Sequence, residues 1–348
     1  MSTSRIFGTL PDGRVVRSWL LKNTSGSSLE VMEYGGIVTH LRIPDRTGKV
    51  GDVVLGFETL EPYLGAHPFF GAVAGRVAGR ITDARFALNG RTYELARNDP
   101  PNHLHGGPAG FDKKLWTAEP VTRPDGADSV CLTLESADGE EGYPGHVKAR
   151  VTLTLTDRNE FIFATEVSSD RATPASLTHH SYFNLAGENA GDVTGHKLQV
   201  FAATFAPTDG AMTLLGRKSS VEQGGDFRQF RRIGDVLPSI VGAHGDLYFV
   251  NRPADDHVSL LPAARVKEPC SGRVMEVLTT EDCIQFYSGV ALDGSLIGKS
   301  GVRYAKHHGF CLECEGYPDS VNVPELGDII VQPGQPRRHT TVYAFSCD

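Results

Sequence analysis

Apolar and polar residues alternate with a period of two through much of this chain. Val151, Leu153 and Leu155 alternate with Thr152, Thr154 and Thr156, Asp157-Arg158-Asn159 breaks the run, and Phe161, Phe163, Thr165 and Val167 resume it. Successive side chains of a strand point to opposite faces, so this spacing predicts a hairpin with one buried face. A second hairpin is sharper. Phe86-Ala87-Leu88 and Arg91-Thr92-Tyr93 flank Asn89-Gly90, the preferred pair for a two-residue type I′ turn, which sets Phe86 opposite Tyr93. More strand-like runs lie at 29–34, 130–134, 196–201, 273–279, 284–287 and 340–345. Helical periodicity is almost absent, and 226–237 has room for a turn or two at most. No composition shift marks a linker and no internal repeat is visible. The pattern predicts one all-β domain over residues 1–348, a large antiparallel β-sandwich, with a barrel as the alternative.

Composition narrows the partners. At 348 residues the chain can bury a large core, and its 39 glycines and 20 prolines imply many turns between short elements. The net charge of -8 argues against nucleic acid and anionic membranes, which both reward a basic face. No window approaches the roughly 18 apolar residues of a membrane span, and the first residues hold no apolar run like that of a signal peptide. The six cysteines are sparse and irregularly spaced, which reads as reduced thiols in a cytoplasmic protein. Cys311-Leu312-Glu313-Cys314 resembles a metal or redox pair, but on a strand Cys311 and Cys314 point to opposite sides.

Chemistry-bearing side chains interrupt the strands at a few places. In Leu177-Thr178-His179-His180-Ser181-Tyr182-Phe183-Asn184-Leu185 an apolar frame holds six polar side chains, as a site for a hydroxylated small molecule requires. A lone His in such a run is more often a core residue bonded to backbone, so the case rests on complementary groups elsewhere. Gly75-Arg76-Val77-Ala78-Gly79-Arg80-Ile81 sets arginines among small residues, which let backbone and ligand approach closely. His103 and His105 share one face if 102–107 is extended. That pattern suits a metal site, with Glu313 and His180 to complete the shell. Asp246 stands at the start of an aromatic run, and Gln285 lies between bulky residues and needs a partner if buried. Glu313 falls inside an apolar strand, where a carboxylate is costly unless paired or used. Glu315 reads as part of the following turn, in solvent.

Taken together and in order, these segments resemble the aldose 1-epimerase (galactose mutarotase) family over nearly the whole chain. Gly51 to Phe57, Gly110-Phe111-Asp112-Lys113 with Trp116, Glu141-Gly142-Tyr143-Pro144-Gly145, Gln285 to Gly289 and Pro318 to Asn322 add to the match. The resemblance implies a galactose mutarotase-like supersandwich with the sugar in an open cleft. It implies interconversion of the α and β anomers of free aldoses, without cofactor or metal. By position, His180 matches the family's general acid and Glu313 its general base. Arg80, His105, Asp246 and Gln285 match residues that bind sugar hydroxyls, with Tyr182 on the same strand as His180. Gly79 stands where the family commonly has Asn, so an amide contact is missing or replaced by water. Leu247 stands where it often has His, and Cys314-Glu315-Gly316-Tyr317 is not the usual wording.

Mutarotation needs a proton taken from the C1 hydroxyl and one given to the ring oxygen, so a base and an acid on different sides of the ring suffice. The charge of Glu313 is expected to favour an imidazolium at His180. Other readings are a non-catalytic sugar-binding protein and a metal-dependent isomerase or dioxygenase built on His103 and His105. An epimerase of phosphorylated sugars would want more positive charge than Arg80 supplies. The expected partner is a monosaccharide, and the expected state is a monomer or homodimer.

Overall fold

The computed structural model describes residues 2–242, 244–253, 256 and 258–348. Among these, nine strands form the largest sheet. Their order is Thr117–Pro120, Asp128–Ser136, Val147–Leu155, Glu160–Ser169, Arg337–Cys347, Arg273–Thr279, Leu261–Lys267, Lys197–Val200 and Arg231–Arg232. All neighbours are antiparallel. The C-terminal strand therefore sits near the middle of the sheet, joining its two halves. The N-terminal strands Thr3–Thr9, Val15–Lys22, Ser28–Met32, Val38–Pro44 and Val50–Asp52 form a five-stranded meander. A third sheet runs Ser219–Ser220, Thr204–Ala206, Asp246–Phe249, Cys283–Tyr287 and Cys311–Glu315.

Period-two patterning produced these elements where one face is buried. Leu155 lies opposite Phe161 and Leu153 opposite Phe163 in the first hairpin. In the second, Phe86 pairs with Tyr93 and their rings stack at 5.1 Å. Asn89 and Gly90 take φ values of 51° and 75°, as a type I′ turn requires. The main core gathers Leu21, Leu29 and Val31 from the N-terminal sheet, Val151, Phe161 and Tyr343 from the large sheet, and Ile284, Phe286 and Leu312 from the third. It is therefore a sandwich core shared by three sheets. The helical content within 226–237 is the single turn Ile233–Val236, and a second short helix, Glu61–Leu64, was not visible in the patterning. No helix among the described residues is long and apolar enough to cross a membrane.

Two backbone links position the site. The short strand Thr178–His180 pairs with Ala72–Ala74. Three residues on, the Phe183 amide donates to the Phe310 carbonyl at 2.7 Å and the Phe310 amide donates back at 2.9 Å. That exchange fixes the His180 segment against the strand Cys311–Glu315, the edge of the third sheet.

Phe161 is fully buried and its ring lies 5.5 Å from that of Tyr343 and 5.0 Å from His179. Phe161→Ala is expected to cost about 3–5 kcal/mol of stability, read as a lower denaturant midpoint with an unchanged slope.

Candidate active site

Alternation along Cys311–Glu315 puts Cys311, Glu313 and Glu315 on one face and Leu312 and Cys314 on the other. Gln285 pairs with Glu313, and Leu247 pairs with Gln285, so these three side chains share that face. The face forms one wall of a cavity of about 150 Å³. Arg80, His105, His180, Tyr182, Tyr287 and Phe69 are among its other lining residues, and a side pocket of about 40 Å³ opens past Gly79 toward Leu247. His179 and His180 illustrate the same alternation. His179 enters the core between Phe161 and Tyr343, and His180 faces the cavity.

His180 Nε2 lies 3.4 Å from Glu313 Oε2, and both side chains are about 95% buried, at 5% and 4% exposure. The imidazole is held between two rings, Phe69 at 5.6 Å and Tyr182 at 5.3 Å, with interplanar angles of 24° and 20°. Its Nδ1 lies 3.6 Å from Cys311 Sγ. Burial holds the Cys311 thiol protonated well above its usual range. The neutral thiol partners Nδ1, and Nε2 is the nitrogen that faces Glu313 and can carry the pair's proton.

The sequence suggested an imidazolium stabilised by Glu313. Burial outweighs that attraction. It lowers the His180 pKa to about 4. It raises that of Glu313, against the opposing field of Arg80. Both groups are pushed toward neutrality, so the pair holds one proton between them. The two side chains stand side by side on one wall of the cavity.

His105 Nδ1 accepts from the Gly79 amide at 3.1 Å. Burial, then the neighbouring His180 and Arg80, keep His105 neutral, so its remaining nitrogen is an N–H donor. His105 takes φ 49°. That left-handed turn breaks the extended pairing on which a shared His103–His105 face depended. His103 instead packs beside Tyr143, its Nδ1 2.8 Å from the Ala96 carbonyl. The ligand atoms of His105, His180 and Glu313 lie within 4.8 Å of one another, a donor set suited to a divalent cation. The cluster does not include His103.

Arg80 is fixed by two residues that the sequence did not single out. Its Nε donates to Asp99 Oδ2 at 2.7 Å, and its Nη2 donates to His244 Nδ1 at 2.9 Å. Gln285 Nε2 donates to the carbonyls of His244 and Phe286, both at 3.1 Å, so backbone satisfies the amide nitrogen and the carbonyl oxygen remains for a ligand.

Asp246 is placed elsewhere. It pairs with Phe286, one position out of register with Leu247 and Gln285, so it points to the face opposite the cavity. Its carboxylate accepts from the amides of Gly225 at 2.9 Å and Gly242 at 3.2 Å. Asp246 thereby anchors the loop that carries His244 and does not line the cavity. Glu315 is a second correction. It is the last residue of the strand and 2% exposed, not a solvated turn residue. The strand alternation that placed Glu313 was sufficient to place Glu315 on the same face. Phe69 and Asp99 had no such signal, since one sits at a left-handed bend and the other in a loop.

Comparison with known proteins agrees with this architecture. The sequence pattern described as aldose 1-epimerase matches residues 17–344. Galactose mutarotase of Rattus norvegicus is 40% identical over 351 residues, covering 99% of this chain and 98% of the relative. Aldose 1-epimerase of Escherichia coli K12 is 35% identical over 346 residues, covering 96% of each. Among solved structures, a GalM/aldose epimerase homologue from C. elegans superposes with a TM-score of 0.85 at 27% identity, over 94% of this chain and 98% of the other. Galactose 1-epimerase from Lactobacillus acidophilus shares the fold with the same TM-score at 23% identity, over 100% and 99%. The chain belongs to the aldose 1-epimerase family.

Proposed function

We propose that this chain is an aldose 1-epimerase, a single domain that interconverts the α and β anomers of free aldoses such as galactose and glucose. The observation that carries the reading is the buried contact of His180 with Glu313 on the wall of a sugar-sized cavity. In the cycle, the pair's proton resides on His180 Nε2 and Glu313 is the carboxylate. Glu313 takes the proton of the C1 hydroxyl while His180 gives its proton to the ring oxygen. The bond from C1 to the ring oxygen breaks, its electron pair stays on that oxygen, and C1 becomes a carbonyl. Rotation about C1–C2 presents the other carbonyl face. The steps then reverse, and each group recovers its starting state. The faces of Phe69 and Tyr182 favour the imidazolium that the cycle needs, while burial keeps it acidic enough to donate.

Arg80, His105 and Gln285 hold the sugar hydroxyls, and Tyr182 forms the wall behind His180. Asp99 and His244 keep the guanidinium in place. A binding protein would need donors and acceptors but no desolvated acid–base pair, which argues against the non-catalytic reading. All six cysteines are unpaired, which supports a reducing, cytoplasmic setting. A metal-dependent reaction has one observation in its favour, the His105–His180–Glu313 cluster. Acid–base ring opening uses two of those three groups without an ion.

Three outcomes are expected. Glu313→Gln and His180→Asn should each lose about 10²–10⁴ in turnover number, measured by polarimetry on freshly dissolved α-D-galactose and α-D-glucose. Loss confined to KM at His180 would make it a binding residue. The pH profile of kcat/KM should be bell-shaped. Its acid limb falls near pH 4, where the pair takes a second proton. Its alkaline limb falls where the shared proton leaves the pair, above the ordinary carboxylate range because burial raises Glu313. A rate that stays level far into alkaline solution would remove the acid from the mechanism. Dialysis against a chelator, with metal analysis of the purified protein, should leave the rate unchanged. Loss restored by one divalent ion would support the metal reading instead.

A further inference from the structure

Glu315 is a buried group at the cavity that the proposed cycle leaves unused. It lines both the main cavity and the side pocket. It is 2% exposed, and its Oε2 is buried with no hydrogen-bond partner. A buried, unpartnered carboxyl oxygen is costly, and a carboxyl that lines a ligand cavity gains a partner when a ligand hydroxyl reaches it. The local backbone explains its placement. Gly79 takes φ 74°, and a Cβ there would come within 2.9 Å of Glu315 Oε1 and 2.3 Å of Pro318 Cγ. A side chain at position 79 and the Glu315 carboxyl therefore compete for one space, and here the carboxyl occupies it. The cation whose field reaches Glu315, Arg80, has its Nε and one terminal nitrogen committed to Asp99 and His244.

We infer that Glu315 is a further substrate-contacting residue, whose carboxyl bonds a sugar hydroxyl away from C1, where the main cavity meets the side pocket. The inference rests on the aldose reading of the site. Burial, together with the charges of Glu313 and Glu281, raises the Glu315 pKa well above the carboxylate range. A protonated carboxyl both donates and accepts, as a sugar hydroxyl does. Glu315 thus fills the role that the missing side chain at Gly79 leaves open, and it helps decide which aldose is preferred.

The test compares wild type, Glu315→Gln and Glu315→Ala on D-galactose, D-glucose and their monodeoxy analogues, with KM and kcat measured separately. Glu315→Ala should raise KM for the parent sugars about tenfold or more, with a smaller effect on kcat. For the analogue lacking the contacted hydroxyl, wild type and Glu315→Ala should have the same KM. Glu315→Gln, which keeps a donor and an acceptor, should stay close to wild type. If Glu315→Ala does not fold, Glu315→Met, of similar length but without oxygen, carries the same comparison. An unchanged KM on the parent sugars, or an equal loss on every analogue, would overturn the inference. Wild type without activity on any aldose would instead overturn the reading of the site.

Discussion

The structure turns on one contact, an imidazole and a carboxylate 3.4 Å apart and almost fully out of water. Neither group could sit there alone without a large desolvation cost. Together they share a proton and stay close to electrically neutral. The rest of the cavity wall answers to that arrangement. Aromatic faces hold the ring, Arg80 tempers the carboxylate, and the thiol of Cys311 lies against the ring's other nitrogen. The two groups come from separate strands tied through the reciprocal Phe183–Phe310 hydrogen bonds. Their spacing is thus a property of how two pieces of sheet are joined.

Much of this was legible in the sequence, for identifiable reasons. Alternation revealed the hairpins at 147–169 and 85–94, because each has one buried face. It also gave the turn at Asn89-Gly90, where only a narrow range of backbone conformation fits. Polar residues inside apolar strands pointed to His180, Glu313 and Gln285. Positions whose role depends on a bend were not legible. His105 leaves the face of His103 through a left-handed backbone, and Phe69 reaches the imidazole from another such bend. Asp99 and His244 act through Arg80, and no local pattern reports a partner brought in from a distant loop.

The two carboxyls that were misplaced teach the same rule from opposite directions. Asp246 matched a sugar-binding position by sequence, yet its register with Phe286 turns it to the far face. Glu315 looked like a turn residue, yet its parity with Glu313 brings it into the cavity. In both cases strand parity decided the outcome, since a shift of one residue exchanges the two faces of a sheet. Parity also accounts for Cys311 and Cys314, one beside His180 and the other in the main core.

The thiol behind His180 carries a consequence of its own. In hydrolases that use a serine, a histidine and an aspartate, the carboxylate behind the imidazole makes the ring a stronger base, suited to pulling a proton from a hydroxyl. A protonated sulfur lies against the ring but lends it no negative charge. The histidine here is oriented like a base and tuned like an acid, readier to release a proton than to keep one. For a reaction that must run in both directions, that weak grip on the proton suits a group that gives it up and takes it back in each turnover.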